Sequence, residues 1–325
     1  MARGHQGLPR PEPTVISKRQ LLDLLREIDS DRKATRRILA METEFRRRIA
    51  IHVQSLPAKD ADFSAFCTNP FVLLIHSLQH GYSRIQEIER DILPAKQFSS
   101  METSAGKMVE AVALPVYGWE IVESGMHTSD SALDGRCMTG DTLQVATLKS
   151  GPRCLNDEMS ENFADAVVNH GAEWASKARV RKVDFSYGVL YGTKKQSNKK
   201  DWHILRNICE KVPAGSILVR SDNRWDCAFR KKGIVVTVAV RVGLDWWSYL
   251  GGPTCFVELC TAMIRACIKP TDSSGAVPGR YAISDLLGIV SVGCVPDDFN
   301  VSVLQRSQLE WLFFVARHFC DEITD

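Results

Sequence analysis

The sequence predicts an α/β fold in which a mixed β-sheet is flanked by helices and preceded by a helical N-terminal region. From residue 17 to residue 55, apolar residues recur every three or four positions, which is the period of an amphipathic helix. From residue 131 onward, short apolar runs alternate with helical segments. With 325 residues, 44% of them hydrophobic, the chain has enough apolar material for one large domain or two smaller ones.

These patterns divide the chain into three parts. Residues 1–15 are rich in Pro, Gly and Arg and are expected to form a disordered tail. Residues 16–100 form a helical region, and residues 101–325 form the α/β domain with a C-terminal helical extension. Within the second part, residues 81–93 have a helical pattern, and a further helix is expected to open at Ser104.

A β-hairpin is predicted over residues 131–149. The segments SALDGRCM and LQVATLK flank the turn Thr139-Gly140-Asp141-Thr142, which has the composition of a tight turn. A helix follows over residues 157–174, with Asn156 or Asp157 as its N-cap. Further on, the pattern predicts strands at VDFSYGVLYG, SILVRSD and GIVVTVAVRVG, and helices ending near Cys209, over residues 254–268 and at QLEWLFFVARHF.

The chain lacks the features of an exported or membrane protein. No apolar run approaches the roughly 18 residues that a membrane span requires, and the N-terminal residues contain no apolar signal core. The ten cysteines are scattered and include no CxxC pair, which is typical of reduced thiols. We therefore expect a cytoplasmic protein.

The net charge of +2 hides an uneven distribution. Residues 175–245 contain 16 lysine and arginine residues against six acidic ones, and residues 1–50 contain 12 against seven. Such concentration of positive charge favours a surface that faces a polyanion, although a solvated face has the same composition.

The predicted hairpin carries the residues with the clearest chemical meaning. Asp134 lies near the end of the first strand and Lys149 near the end of the second, so the two side chains can converge at one end of the sheet. A carboxylate there can hold Mg²⁺, and a lysine beside it can offset negative charge on a phosphate. This is the logic of the PD-(D/E)XK nuclease core. On spacing alone the pair is a weak signal, since a surface turn can have the same charges.

That core has a second carboxylate two residues before the lysine, but this position is Thr147. Two residues could supply the missing ligand. Glu161 follows Lys149 by twelve residues on the next helix, and Glu110 lies on the helix before the hairpin. The residues themselves leave the choice between them open.

Several segments, in order, resemble type II restriction endonucleases, above all the family that cuts the interrupted site RGGNCCY. They are TLKSGPRCLND, VDFSYGVLYGTKK, WHILRNI and GLDWWSYLGG, with TNPFVLLIHSL, AGK at 105–107 and ALPVYG upstream. The resemblance covers roughly residues 65–270, and the shared order is more specific than any single motif.

The resemblance implies a Mg²⁺-dependent homodimer that cleaves both strands of a GGNCC-like DNA site and leaves 5′-phosphate ends. Asp134 matches the family's metal-binding aspartate and Lys149 its lysine, while Glu110 or Glu161 would complete the metal shell in place of Thr147. Lys107 would flank the scissile phosphate. Residues 101–325 would be the nuclease domain, with residues 16–100 serving DNA wrapping or dimerisation. A DNA methyltransferase would belong to the same bacterial restriction system.

The DNA-binding residues expected from this interpretation lie in two polar loops. In the loop after Lys149, Arg153 and Asn156 stand where backbone amides and a helix N-terminus can face a phosphate. The second loop offers side chains suited to phosphates or base edges, namely Lys194, Lys195, Gln196 and Asn198.

Two other functions remain open at this stage. Thr147 also suits a DNA-binding protein with a nuclease-like fold and weak or no catalysis, and a structure-directed repair nuclease is more distant. Other patterns favour ordinary packing: the His76 and His80 pair, the cysteines of residues 254–268, and the Trp246-Trp247 pair. Asp222 and Asp226 before the strand that ends in Arg241 form only a poor nuclease pattern.

Overall fold

The computed structural model describes residues 7–58, 60–62, 70–123, 128–271 and 282–325. Within these ranges the chain forms ten α-helices. They are α1 (Lys18–Ser30), α2 (Arg32–Ser55), α3 (Pro70–His80), α4 (Ile85–Val116), α5 (Asp157–Ala178), α6 (Lys200–Lys211), α7 (Leu244–Gly251), α8 (Cys255–Cys267), α9 (Leu286–Val290) and α10 (Leu309–Arg317).

Nine strands accompany these helices in the described ranges. They are β1 (Val15–Ser17), β2 (Glu120–Ile121), β3 (Gly135–Thr139), β4 (Thr142–Lys149), β5 (Lys182–Val189), β6 (Ile217–Val219), β7 (Asp226–Lys231), β8 (Ile234–Val242) and β9 (Glu322–Thr324). Seven of them form one sheet in the order β2-β3-β4-β5-β8-β7-β6. In it, β4, β5 and β8 run parallel and the other neighbours are antiparallel. The predicted α/β class with a mixed sheet flanked by helices is therefore confirmed.

The central strand β5 shows how the two layers of helices cover the sheet. Val183, Phe185, Tyr187 and Val189 are buried on one face, in a core shared with α5 and α6. On the other face Gly188 leaves no room for a side chain, because a Cβ atom there would lie 2.6 Å from Leu148 and 2.8 Å from Trp246 of α7. The alternation with period two thus places helices on both sides of this strand.

The N-terminal helices α1 and α2 belong to a second hydrophobic core, on the side of the sheet where α7 lies; we call it the N-terminal core. Leu25 and Ile28 of α1 and Phe45 of α2 are fully buried in one cluster with residues of α8 and α10. The helix α4 runs without interruption through the expected boundary between residues 100 and 101. Helices α1 and α2 consequently share their core with α8 and α10, and the helix expected to open at Ser104 is the continuation of α4.

Part of the expected disordered tail contacts the rest of the chain. The carbonyl of Gly7 accepts a hydrogen bond from the amide of Asn223 (3.2 Å), and the amide of Thr14 donates to Asp321 (2.8 Å). Val15–Ser17 then pairs in parallel with Glu322–Thr324. From residue 7 onward, this segment departs from the expected disorder because its backbone has fixed partners. Residues 1–6 lie outside the described residues.

Two local predictions are confirmed in detail. The hairpin turns between Thr139 and Thr142, where Gly140 adopts a φ of 59°, a conformation that glycine reaches without steric cost. Asn156 is the N-cap of α5, and its side chain accepts a hydrogen bond from the amide of Met159 at 2.8 Å. Among the described helices, none is long and apolar enough to cross a membrane.

Candidate active site

Asp134 and Lys149 lie at the same edge of the sheet, where the carboxyl ends of β4, β5 and β8 meet. Lys149 is the last residue of β4. Asp134 directly precedes β3, which places it before the beginning of the first hairpin strand and not near its end. In open α/β sheets this edge is where ligands commonly bind.

The backbone of β4 holds Asp134 in place. Its amide donates to the carbonyl of Ala146 (2.8 Å), and its carboxylate accepts a hydrogen bond from the amide of Leu148 (2.7 Å). The carboxylate is therefore fixed beside Leu148, the residue that precedes Lys149 at the end of β4.

Helix α4 adds two further charged residues to this edge. At Gly106 the helix packs so closely against the strand end that a Cβ atom would overlap the hydroxyl of Ser150. Lys107 is exposed next to this contact, and Glu110 follows one helical turn later. A glycine at residue 106 is thus what lets α4 bring Glu110 to the end of β4.

The electrostatics of Glu110 show that these groups interact. Burial and, to a smaller extent, the negative charge of Asp134 together raise the pKa of its carboxyl to about 7, against the opposing effects of Lys149 and Lys107. Two carboxyl groups and two ammonium groups therefore share one partly buried region.

Lys149 takes part in this cluster without neutralising a carboxylate. Its ammonium group lies 5.5 Å from the centroid of the Phe163 ring of α5. Over the part of the chain that the structure describes, no acidic side chain comes within ion-pair distance of Lys149, and neither Asp134 nor Glu110 has a basic partner at that distance. The charges converge but remain available to a ligand.

The other two candidate residues have different surroundings. Thr147 is buried, and its hydroxyl donates to the backbone carbonyl of Ala132. Glu161, with 62% of its side chain exposed, accepts a hydrogen bond from Lys211 of α6 at 3.3 Å. The structure thus brings Glu110, and not Glu161, together with Asp134 and Lys149.

These residues fit Mg²⁺ in one of the ways by which proteins hold it. This ion is commonly bound by one or two carboxylates, with water and substrate phosphate completing its shell. Asp134 and Glu110 supply two such carboxylates whose mutual repulsion a cation would relieve. No group of three or more His, Cys, Asp or Glu side chains suited to a metal occurs among the described residues. The fit therefore rests on two carboxylates.

Some of the expected DNA-binding side chains have structural partners. The carbonyl oxygen of the Gln196 side chain accepts from the amide of Thr193, and the Asn198 side chain bonds to Leu155 and Lys200. The Asn156 side chain caps α5, as described above. The side-chain oxygens of these three residues thus accept hydrogen bonds that stabilise the loops, and the NH₂ group of Asn198 also donates one.

The basic side chains of the same loops differ in their surroundings. Lys194 forms an ion pair with Asp245 and lies 5.5 Å from the centroid of the Trp225 ring. Arg153 is exposed and donates to the carbonyl of Gln196 at 3.2 Å. Lys195 is exposed and has no ion-pair partner in the described ranges. Lys195 and Arg153 are thus the side chains here that are best placed to meet a phosphate.

The remaining sequence patterns serve packing or local pairing. His76 bonds to Asp91 at 3.1 Å, and Trp246 and Trp247 are fully buried. Cys255 and Cys260 are buried as expected for a core helix, whereas Cys267 is exposed. Asp226 forms an ion pair with Arg224 at 2.7 Å, so this acidic residue has a local partner.

Sequence reasoning missed Phe163, whose ring lies beside Lys149, and Tyr187, whose ring contacts that of Phe163. Tyr187 is fully buried, and its hydroxyl has no hydrogen-bond partner among the described atoms. Burial raises the pKa of this hydroxyl, with Asp201 among the charges that add to the effect. The alternation of β5 could have indicated that Tyr187 faces α5, but the ring that faces Lys149 depends on how α5 is rotated.

Comparison with known proteins adds no family to this description. No protein-family model matches the chain. No curated protein matches it significantly.

Proposed function

We propose that this chain is a Mg²⁺-dependent endonuclease with a PD-(D/E)XK-type core. The observation that carries the proposal is the convergence of Asp134, Glu110 and Lys149 at the carboxyl end of β4. Two carboxylates beside a lysine, at an edge that also has exposed basic loops, are suited to the cleavage of a phosphodiester bond.

Each residue has a distinct role in this reaction. Asp134 and Glu110 hold the cation, Asp134 from a position fixed by its bond to the amide of Leu148. When bound, Mg²⁺ supplies positive charge against the phosphoryl oxygens. The ammonium of Lys149 offsets the additional negative charge that develops as water attacks phosphorus, and the exposed Lys107 binds the neighbouring phosphate.

Within this class we favour a type II restriction endonuclease, because the ordered resemblance of residues 65–270 extends well beyond the site itself. On this proposal the enzyme acts as a homodimer in the bacterial cytoplasm and cuts a GGNCC-like site. A methyltransferase of the same system protects the host. The described cysteines, all unpaired, support a reducing compartment.

The direct test is digestion of plasmid DNA with the purified full chain and Mg²⁺. Discrete fragments with 5′-phosphate ends are expected. The variants D134N and K149A should cut at least about 100-fold more slowly while they still bind DNA in Ca²⁺. Full cutting by either variant would show that the active site lies elsewhere, and a smear of products would indicate a structure-directed nuclease.

One observation favours a second candidate function. Thr147 stands where this type of core has a carboxylate on the strand, and its side chain is buried and bonded to the backbone. The alternative is therefore a DNA-binding protein with weak or no catalysis. A gel shift of duplex DNA without any cleavage in Mg²⁺ or Mn²⁺ would support the binding protein over the nuclease.

A further inference from the structure

We propose that Phe163 is a positioning residue that holds the ammonium group of Lys149 in place for catalysis. The inference rests on the proposed function, since Lys149 is taken as the lysine of a nuclease site. Phe163 itself touches neither the cation nor the DNA in this proposal, and it acts only through Lys149.

The side chain of Lys149 lies over the aromatic ring of Phe163. The ammonium group lies 5.5 Å from the ring centroid, within the range of a cation–π interaction. Phe163 belongs to α5, which is anchored at its start by the Asn156 cap and by the hydroxyl of Ser160, bonded to the carbonyl of Lys200 at 2.8 Å. The ring is therefore carried by a well-fixed helix.

A second aromatic ring fixes the orientation of the first. Phe163 meets Tyr187 edge to face, with the centroids 5.7 Å apart and the ring planes at 63°. Tyr187 is fully buried on β5, directly beside Thr147 of β4 in the strand register. Lys149, Phe163 and Tyr187 thus form a continuous packed row at the strand end.

The physical need for such a ring follows from the flexibility of lysine. The side chain has four rotatable bonds, and two carboxyl groups, Asp134 and Glu110, lie nearby. An ammonium group bonded to either carboxylate would occupy an oxygen that the cation needs. The face of Phe163 attracts the ammonium without neutralising a carboxylate, so the ring keeps the Lys149 side chain localised and unpaired.

Substitutions of Phe163 separate this role from simple packing. F163Y keeps the aromatic face, whereas F163L keeps apolar bulk and removes the face. F185L is the matched control, because Phe185 is a buried ring on β5 that stacks on Trp174 with centroids 6.1 Å apart. A purely structural effect of losing a ring in this core should appear in both leucine variants.

The kinetic test measures kcat and KM for a DNA duplex with saturating Mg²⁺. We expect F163L to lower kcat by about 10-fold with KM little changed, as removal of one cation–π contact predicts, and F163Y to restore most of the rate. F185L should retain the wild-type kcat per folded molecule. An unchanged kcat in F163L, or equal losses in F163L and F185L, would overturn the inference.

A second measurement needs no cleavage. In protein labelled with ¹³C at the lysine ε position, a group over a ring face has its NMR signal shifted upfield by the ring current. K149R assigns the Lys149 signal by its absence. The signal should be shifted in the wild type and F163Y, and should move toward those of exposed lysines in F163L. If the wild type does not cut DNA, the proposed function fails, yet this signal still decides the contact: an unshifted wild-type signal contradicts it.

Discussion

Two groups of charged residues in this molecule differ in how their charges are paired. In the N-terminal core, Glu258 of α8 is fully buried and accepts two hydrogen bonds from Arg37 at 2.6 Å, one from Tyr117 and one from Thr254. At the end of β4, the carboxylates of Asp134 and Glu110 and the ammonium of Lys149 lie near one another without any ion pair among the described residues.

The comparison shows how to distinguish a structural charge from one available for chemistry. Every oxygen of Glu258 is satisfied, and the bond to this carboxylate raises the pKa of Arg37. Such a group has no capacity left for a ligand. Glu110 instead has a raised pKa because burial and a like charge oppose its ionisation, a condition that a bound cation would relieve.

The largest effect is expected on DNA cleavage, when a carboxyl group of the unpaired cluster at the end of β4 is removed. E110Q should lower the rate of DNA cleavage by about 10³-fold, because it removes one of the two carboxylates that hold the cation in the proposed site. E161Q is the matched control and should cut within about 2-fold of the wild type, because Glu161 is exposed and contacts Lys211. The reverse result, with cleavage lost only in E161Q, would show that the second metal-binding carboxylate is Glu161 of α5.

The next effect concerns the paired cluster. E258Q should lower the free energy of unfolding by about 3 kcal/mol, because it leaves the guanidinium of Arg37 without its buried counter-charge. D23N, which removes an exposed ion pair with Arg26, should change it by at most about 0.5 kcal/mol. Urea unfolding measures both. Cleavage per folded molecule should stay at the wild-type level in E258Q, and a selective loss of cleavage would give this cluster a catalytic role.

The pH dependence of stability provides a smaller test. The pKa of Glu110 is raised from 4.5 to about 7 in the folded chain. Between these two pH values, the folded chain therefore keeps a proton on Glu110 that the unfolded chain has already released. The stability of the wild type relative to E110Q should therefore fall as pH rises from about 4.5 to about 7, and level off above. Urea unfolding of both proteins across this range measures the difference. A relative stability that rises with pH would contradict the raised pKa.

The addition of Mg²⁺ should offset the loss of stability that the wild type shows as pH rises. In the proposed site the cation binds the ionised carboxyl of Glu110, so Mg²⁺ should stabilise the wild type more above pH about 7 than at pH about 5. In E110Q this pH dependence of the Mg²⁺ effect should largely disappear. An identical Mg²⁺ effect in both proteins would place the cation away from Glu110.

The smallest expected effect compares two neighbouring lysines. K195A should reduce the slope of log K against log salt for duplex DNA by about 0.9, the value for one phosphate contact. K194A should change it less, because Lys194 already pairs with Asp245. Binding in Ca²⁺ at several salt concentrations gives both slopes. A larger change for K194A would mean that this ion pair opens on DNA.

Much of the fold could be predicted because local patterns agree with the tertiary structure. The valine-rich run GIVVTVAVRVG, the turn at Gly140 and the cap at Asn156 each depend on neighbours close in sequence. Helix α4 could not be predicted as one element, because Pro94 lacks the amide that a helix interior uses. The helix nevertheless continues through this residue, a continuity that the local pattern did not indicate.

By itself, the sequence determined the α/β class, the hairpin and the candidate pair of Asp134 and Lys149, since each follows from strand and turn chemistry along a short stretch. Only the tertiary structure decided which of Glu110 and Glu161 lies near Asp134 and Lys149. The approach of α4 at Gly106 and the pairing of Glu161 with Lys211 are contacts between distant segments. The ring beside Lys149 likewise depends on how α5 packs against β4 and β5, and no local spacing specifies that rotation.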